Sequence, residues 1–462
     1  MDTEKRLAAY ASNTRFEDLP PEPVNTIKNV LLTVLGSTIA GATQDGCEAL
    51  IDQIKEWGGR KEATILMQGG RVPAYNAALA NSTMARALDI CDGMSPGMHL
   101  GSSTVPTALA VAELSGGCSG KEFLASLVVG SEVAARINFS SFYEGFDPTG
   151  VCSIFATTAI AGRMLRFDSG QMLHALALAF NKSGGSFQSN IDGSLAVRLI
   201  QGFVSQGGII CAQLAKRGIT GPKNFLEGIY GYFHLYAKDK YDPKEVIGEL
   251  GRRFDSTQIL FKKYPSCAGT AASVDAMLDL VEEKGIAPED VAKIDIRVTP
   301  YIYKLVGHRF EIGENPRVNA QFNIRYCVAS ALLRKGLKLQ HFEESFIREP
   351  KIMELTDKID ITIDSALEKP GEHHCAMQMY VRTTDEVVYH KTVDVPRGFP
   401  ENPLTTEEHL KRFEDCVSYA RKPLPRQNIE KIVSLISGLE EVKDVRSLIP
   451  LLQVRVRPKE DK

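Results

Sequence analysis

Apolar positions recur at helical spacing from about residue 20 to 235, in alanine-rich runs such as 24–41 and 76–89 that are separated by short Gly, Asp or Ser breaks. This pattern predicts helix packed on helix. Ser119-Gly120-Lys121-Glu122 has the spacing of a capping box, and Leu124, Leu127, Val128 and Ile137 behind it mark the apolar face of a buried helix. After Tyr264-Pro265 the period changes. Residues 293–298 and 358–363 alternate apolar with polar, as half-covered strands do, and 375–382 with 386–395 reads as a hairpin around Thr383-Thr384-Asp385. Residues 288–291 and 320–337 read as helices within this region, and helical periodicity returns at 405–421 and 427–439. The whole predicts a mainly α protein: a large, discontinuous all-helical domain over 1–262 and 400–462, with a smaller α+β lid domain, 263–399, inserted into it. A cleft between two such domains is the usual place for a small-molecule site.

Composition narrows the partners. The 462 residues, 44% hydrophobic and 24% charged, have globular proportions with material for two cores. Fifty-four Lys and Arg against 57 Asp and Glu give a net charge of -3, which excludes the basic field behind non-specific binding of nucleic acid or anionic lipid. Apolar stretches such as 124–129 are far shorter than the roughly 20 residues of a membrane-spanning helix. The N-terminal segment carries acidic residues and lacks the apolar core of a signal peptide, so a cytoplasmic location is expected. Nine cysteines, odd in number and scattered without any Cys-x-x-Cys pair, fit neither a disulfide framework nor a zinc or iron–sulfur site, and no metal or other cofactor is expected.

Phosphate-cradling motifs are missing: no strand leads into Gly-x-Gly-x-x-Gly, and no Gly-x-x-x-x-Gly-Lys-Ser/Thr loop occurs. Chemistry concentrates instead in 87–106, where Asp89, Asp92 and His99 sit on a Gly/Pro-interrupted loop between two helices. A histidine beside ionised carboxylates has its protonated form stabilised, which suits a general acid or proton shuttle near neutral pH. Asp and His also cap helices and satisfy loop backbone. Arg198, after a polar, glycine-containing run from 182 to 194, suits a bidentate grip on a carboxylate, or equally a pairing with a structural Asp. Lys262 and Lys263 fall at the predicted domain junction, and Arg325 and Tyr326 on a helix that can face it. Glu372-His373-His374-Cys375 reads as a solvated loop, because adjacent side chains diverge in helix and strand alike.

Taken in order, these stretches resemble the MmgE/PrpD family over essentially the whole chain. The likeness lies in Asp89-x-x-Asp92 with His99 and Pro106, in Gly202-Phe203, Gly218-Ile-Thr-Gly-Pro222 and Leu226-Glu-Gly228, and in Phe261-Lys-Lys-Tyr-Pro-Ser-Cys267. It continues through Ala320-Gln-Phe-Asn-Ile-Arg-Tyr326, Pro396-Arg-Gly398 and Asn402-Pro403. The resemblance implies a helical domain with a smaller α+β domain, a homodimer and a cleft site with Asp89, Asp92, His99, Lys262 and Tyr326 at polar positions. Against the dehydratase and decarboxylase members, a second His position is Asp147 here and an active-site Lys position is Val197. A Thr position is Gly93, and a His after the Tyr-Pro-x-Cys segment is Ala271.

The expected function is abstraction of a proton α to a carboxylate of a small di- or tricarboxylic acid. His99, with Asp89 or Asp92, takes the proton; Lys262 and Tyr326 complete the catalytic set; Arg198, Lys263 and Asp147 contact the substrate. Elimination or decarboxylation, as in 2-methylcitrate dehydratase or cis-aconitate decarboxylase members, would make the chain a lyase. Reprotonation from the other face would make it an epimerase of an iminodisuccinate-like dicarboxylate. A silent homologue that binds a metabolite or forms a scaffold is the alternative of another class.

Overall fold

Helix Pro21–Gly41 opens with Pro at its first position, where the missing N–H has no partner to lose, and is buried on nearly every side from Val30 onward. A helix apolar all round belongs inside, and others surround it. In this computed structural model, which describes residues 3–368 and 375–453, the chain is mainly α. Helix Ala196–Lys216 lies along Ala74–Arg86, Gly120–Phe139 packs on Ile154–Met164, and the C-terminal Thr406–Tyr419 returns to pack on Pro21–Gly41. The first core accordingly draws on residues from Leu7 to Phe261 and again from Leu404 to Leu452. Among the described residues no helix is long and apolar enough to cross a membrane.

The second core runs from Tyr264 to Val381 and borrows Val197. Its sheet has four strands in the order Ile359–Ile363, Val291–Val298, Met377–Thr383, Val388–Val393. The first pair is parallel, with Ile294 opposite Ile359; the others are antiparallel, with Ile296 opposite Met379 and Met379 opposite Lys391. Alternation puts Ile294, Ile296, Val298, Met377, Met379 and Val381 on one buried face, covered by helix Ala271–Lys284, which in turn packs on Ile324–Arg334. A small cluster of Ala40, Leu88, Ile90, Leu339 and Cys416 joins the two bodies.

The structure departs from expectation locally. The helix expected over 320–337 is two helices, Pro316–Gln321 and Ile324–Arg334, because the Asn323 side chain accepts the Tyr326 N–H at 3.1 Å and starts a new turn. Pro288–Asp290 is one 3₁₀ turn, and Val291 already belongs to the sheet. Ser119 caps its helix by accepting the Glu122 N–H at 3.2 Å. The otherwise helical body carries two short ladders, Ala63–Thr64 with Arg71–Val72 and Asp92–Gly93 with Leu260–Phe261. The 372–374 part of the Glu-His-His-Cys run lies outside the described residues.

One buried ion pair holds the segment that leads into that second ladder. Glu132 and Arg136, one helical turn apart and wholly buried, meet at 2.5 Å. Arg136 also donates to the carbonyls of Val246, Gly248 and Arg253 at 3.1, 2.6 and 2.7 Å, while Glu132 accepts the N–H groups of Asp255 and Ser256 at 3.1 and 2.8 Å. Removing one member strands the other charge. Arg136→Met is therefore expected to lose about 3–5 kcal/mol of stability, read from the urea midpoint; a loss below about 1 kcal/mol would show that the pair does not hold this segment.

Candidate active site

The site is assembled around one carboxylate. Helix Ala74–Arg86 is pressed against Ala196–Lys216 at Gly202, where a Cβ would stand 2.6 Å from Leu79 Cδ1 and 2.7 Å from its carbonyl. That close approach places Arg86, at the helix end, over the junction of the two cores. Three residues on, Asp89 takes left-handed backbone, φ 52°, which Asp tolerates better than most, and its Oδ1 turns back to ion-pair with Arg86. The same oxygen receives Lys262 Nζ at 2.7 Å. Lys262 arrives there by strand pairing: Asp92 faces Phe261, Gly93 faces Leu260, and the Lys262 N–H donates to the Cys91 carbonyl at 3.3 Å. Alternation then sends Leu260 and Lys262 to one side of the segment. Lys263 goes to the other, pairing half-exposed with Asp275 at 3.0 Å, where it is a structural cation rather than the expected substrate contact.

Beyond Gly93 the chain makes a tight turn closed by Met94 and Met98, then delivers His99. These residues spell Gly-x-Ser-x-Gly, yet Ser95 sits at the tip of a hairpin with a cis Ser95-Pro96 bond, and not on the strand-to-helix elbow of a hydrolase. His99 is fixed by its own N–H on Thr149 Oγ1 at 3.1 Å and by Nδ1, which donates to the Asp92 carbonyl at 2.5 Å. That bond assigns the tautomer and leaves Nε2 a lone pair, 3.4 Å from the Arg86 guanidinium. Burial, and then the charges of Arg86 and Lys262, push the His99 pKa well below the usual histidine range. The expectation of an imidazolium supported by carboxylates is thereby reversed, since Asp89 is already held by two cations and the group near His99 is a guanidinium.

Asp92 does not serve the cavity. Its Oδ2 accepts the N–H groups of Leu100 and Gly101 at 3.1 and 2.8 Å and caps helix Gly101–Leu114; a Cβ on residue 101 would lie 2.4 Å from its other oxygen. Burial raises its pKa. Tyr326 is also corrected: its ring is fully buried between Phe310 and Phe342, and its hydroxyl donates to the His341 carbonyl. Starting a new helix at Asn323 sets Tyr326 into the second core instead of the cleft. Arg198 turns away as well, donating to the Asp45 carbonyl at 2.6 Å; its neighbour Val197 is the one that lines the cavity.

What Arg86, His99 and Lys262 face is a cavity of about 100 Å³ between the two cores. Asp147 lines it too; its Oδ1 accepts the Thr149 N–H at 2.8 Å, and burial raises its pKa. Tyr301 closes one side from the second core by donating to the Pro96 carbonyl at 3.0 Å. Lys262 is pushed down to about 8, by burial first and then by Arg86. Sequence reasoning missed Arg86, although its i, i+3 spacing to Asp89 at a helix end was a readable signal. Nothing in the sequence marks Tyr301. Among the described residues no group of three or more His, Cys, Asp or Glu is placed to hold a metal, and all nine cysteines are free.

Comparison with known proteins agrees with this arrangement of two bodies. The MmgE/PrpD N-terminal domain matches residues 5–244 and the MmgE/PrpD C-terminal domain residues 264–437. A cis-aconitate decarboxylase-like protein, oryM, of Aspergillus oryzae is 22% identical over 470 residues, covering 96% of each chain. The cis-aconitate decarboxylase of Mus musculus is 23% identical over 451 residues, covering 92% of this chain and 88% of its own. With both of the family's domains matched in order along most of its length, the chain belongs to the MmgE/PrpD family.

Proposed function

We propose that the chain is a lyase that removes a proton from the carbon α to a carboxylate, with His99 as the base and Arg86 and Lys262 as the carboxylate anchor. One observation carries this: a neutral imidazole whose Nε2 keeps its lone pair, with Arg86 approaching that nitrogen at 3.4 Å, shares a small cavity with two cations. Removing an α-proton places negative charge on the substrate carboxylate, and fixed, buried cations stabilise that charge far better than water does. The imidazole must be neutral to accept the proton, and burial first, then the same cations, favour that form. Electrons then flow from the enediolate to expel a β-substituent; in a dehydration the His99 imidazolium returns its proton to the departing hydroxyl, which leaves as water. The two relatives named for cis-aconitate decarboxylation support carboxylic acid chemistry of this kind.

Epimerisation is the second reading, favoured by Asp147 alone. A carboxyl group whose proton is held more tightly by burial lines the same cavity and can supply a proton to a different face of the enediolate. Solvent-deuterium incorporation with inversion and no unsaturated product would select it over elimination.

Two outcomes are expected. His99→Gln keeps the fold and the anchor but lowers kcat by about 10²–10⁴ with little change in KM, and α-hydrogen exchange in deuterated water falls in parallel; undiminished exchange removes His99 from the chemistry. The pH profile follows from the two shifts. Neutral His99 is the active form, so the acid limb lies well below pH 6.5. Protonated Lys262 is the active form, so activity falls as pH rises through about 8. Lys262→Arg, which does not titrate in this range, should carry the alkaline limb upward.

A further inference from the structure

A group of apolar side chains faces water on the helical body, and the backbone holds it there. The turn after Asn224 is tied at several points: the Gly228 N–H donates to the Asn224 carbonyl at 2.9 Å, the Gly231 N–H to the Gly228 carbonyl at 2.7 Å, and Glu4 accepts the Leu226 and Glu227 N–H groups at 3.1 and 3.0 Å. A Cβ at Gly228 or Gly231 would lie 2.5 or 2.6 Å from a carbonyl oxygen, so neither end of the turn has room for a side chain. Between them Ile229 and Tyr230 are 82% and 76% exposed. Leu235 follows on the short helix Tyr232–Ala237, beside which the Phe142 N–H donates to the Tyr236 carbonyl at 2.6 Å and the Phe146 ring meets Tyr236 edge-on at 5.0 Å. Phe146 bridges in turn to Ser186, and the Phe187 N–H donates to the Gly145 carbonyl at 3.0 Å, which brings up Ile191. Phe142, Phe146, Ile191 and Leu235 are 41–55% exposed.

These six residues leave roughly 700–800 Å² of apolar surface in water, more than the largest patch of an ordinary monomer and close to one partner's share of a stable protein–protein interface. Its rim carries no field of one sign, since Lys238 pairs with Glu144 at 2.5 Å and His234 with Asp239 at 2.8 Å. An anionic membrane or an acidic partner calls for a basic rim; a mixed, internally paired rim can face its own copy across a two-fold axis without repulsion. We propose that a second copy of this chain docks on this patch and braces the 186–191 segment, which brings Phe187 and Asn190 to the cavity wall. Gln188–Ile191 is a single helical turn, and one turn has little stability of its own. A Cβ on Gly97 would stand 3.5 Å from Phe187 Cζ, so the ring lies against the turn that delivers His99. The docking face stands on exposure and charge alone, and its bearing on catalysis rests on the proposed reading of the cavity.

Sedimentation of the full chain from nanomolar to micromolar concentration is expected to show a species of twice 50.7 kDa, and backbone amide exchange over 186–191 to slow at least tenfold as that species forms. Ile229→Asp places a charge on the patch at a position the fold leaves in water, and should weaken the dimer at least a hundredfold with an unchanged far-ultraviolet spectrum. Leu235→Glu repeats the test on the neighbouring helix. Trp57→Asp, also exposed but on helix Cys47–Trp57 outside the patch, should leave the dimer intact. His99→Gln should lose α-hydrogen exchange while keeping both the dimer and the slow amides, so a wrong base and a wrong face give different results. A monomer throughout the range, alone or captured on phosphatidylserine vesicles, or a dimer that Ile229→Asp and Leu235→Glu leave unchanged, overturns the docking face. Equal amide exchange over 186–191 in monomer and dimer overturns the bracing.

Discussion

The Asp89 carboxylate is the constraint on which the site depends. Buried and ionised, it requires cations, and the two it takes come from separate parts of the chain: Arg86 from the end of a first-core helix, and Lys262 from the segment that enters the second core. Satisfying one side chain therefore fixes the approach of two bodies. The supports lie on both sides of Lys262. Upstream, Arg136 and Glu132 gather the backbone from 246 to 256, and the two-residue ladder with Asp92–Gly93 sets the register in which Lys262 points at Asp89. A slip of one residue would exchange Lys262 for Lys263, which now faces Asp275, and would leave Asp89 with one cation.

Burial, and after it the same charges, lower the pKa of the histidine. Were Asp89 and Asp92 free beside His99, the ring would be held protonated and could act only as an acid. Each carboxylate is occupied elsewhere, one by cations and one by the first turn of a helix, so the positive field of Arg86 and Lys262 reaches the imidazole with little opposition. Asp92 still matters to His99 through its main chain: the carbonyl takes Nδ1–H and turns Nε2 outward. A single residue thus caps a helix with its side chain and orients the candidate base with its backbone.

Periodicity made the architecture readable in the chain, because helices and strands that bury one face must repeat at 3.6 or 2 residues; the alternation over 293–298 and 358–363 falls on the strands Val291–Val298 and Ile359–Ile363 to within two residues. Local capping was harder to see, and it decided more. Asn323 interrupts a continuous apolar pattern with one side-chain hydrogen bond and rotates Tyr326 into the core. For the candidate site, the pattern picked out the 87–106 loop and Lys262 but not their division of labour. Whether an Asp side chain meets a lysine or a helix N-terminus depends on tertiary approach, such as that at Gly101 beside Asp92, which no spacing along the chain encodes.

The charged end of the cavity and its apolar side answer to different physics. Loss of Asp89 alone would leave Arg86 and Lys262 as two buried cations without a carboxylate, so the folded state itself protects this cluster. Val197 and Ile200 stand on a helix whose register is set at Gly202 and by its other contacts, and no hydrogen bond ties their side chains to the rest of the protein. Exchanging such side chains changes the volume and polarity of the cavity, at a cost to the fold that is larger at Val197, which belongs to the second core, than at half-buried Ile200. The cavity is thus coupled to stability at its charged end and less so along the Ala196–Lys216 helix, where its lining can change while the buried charges that join the two cores stay in place.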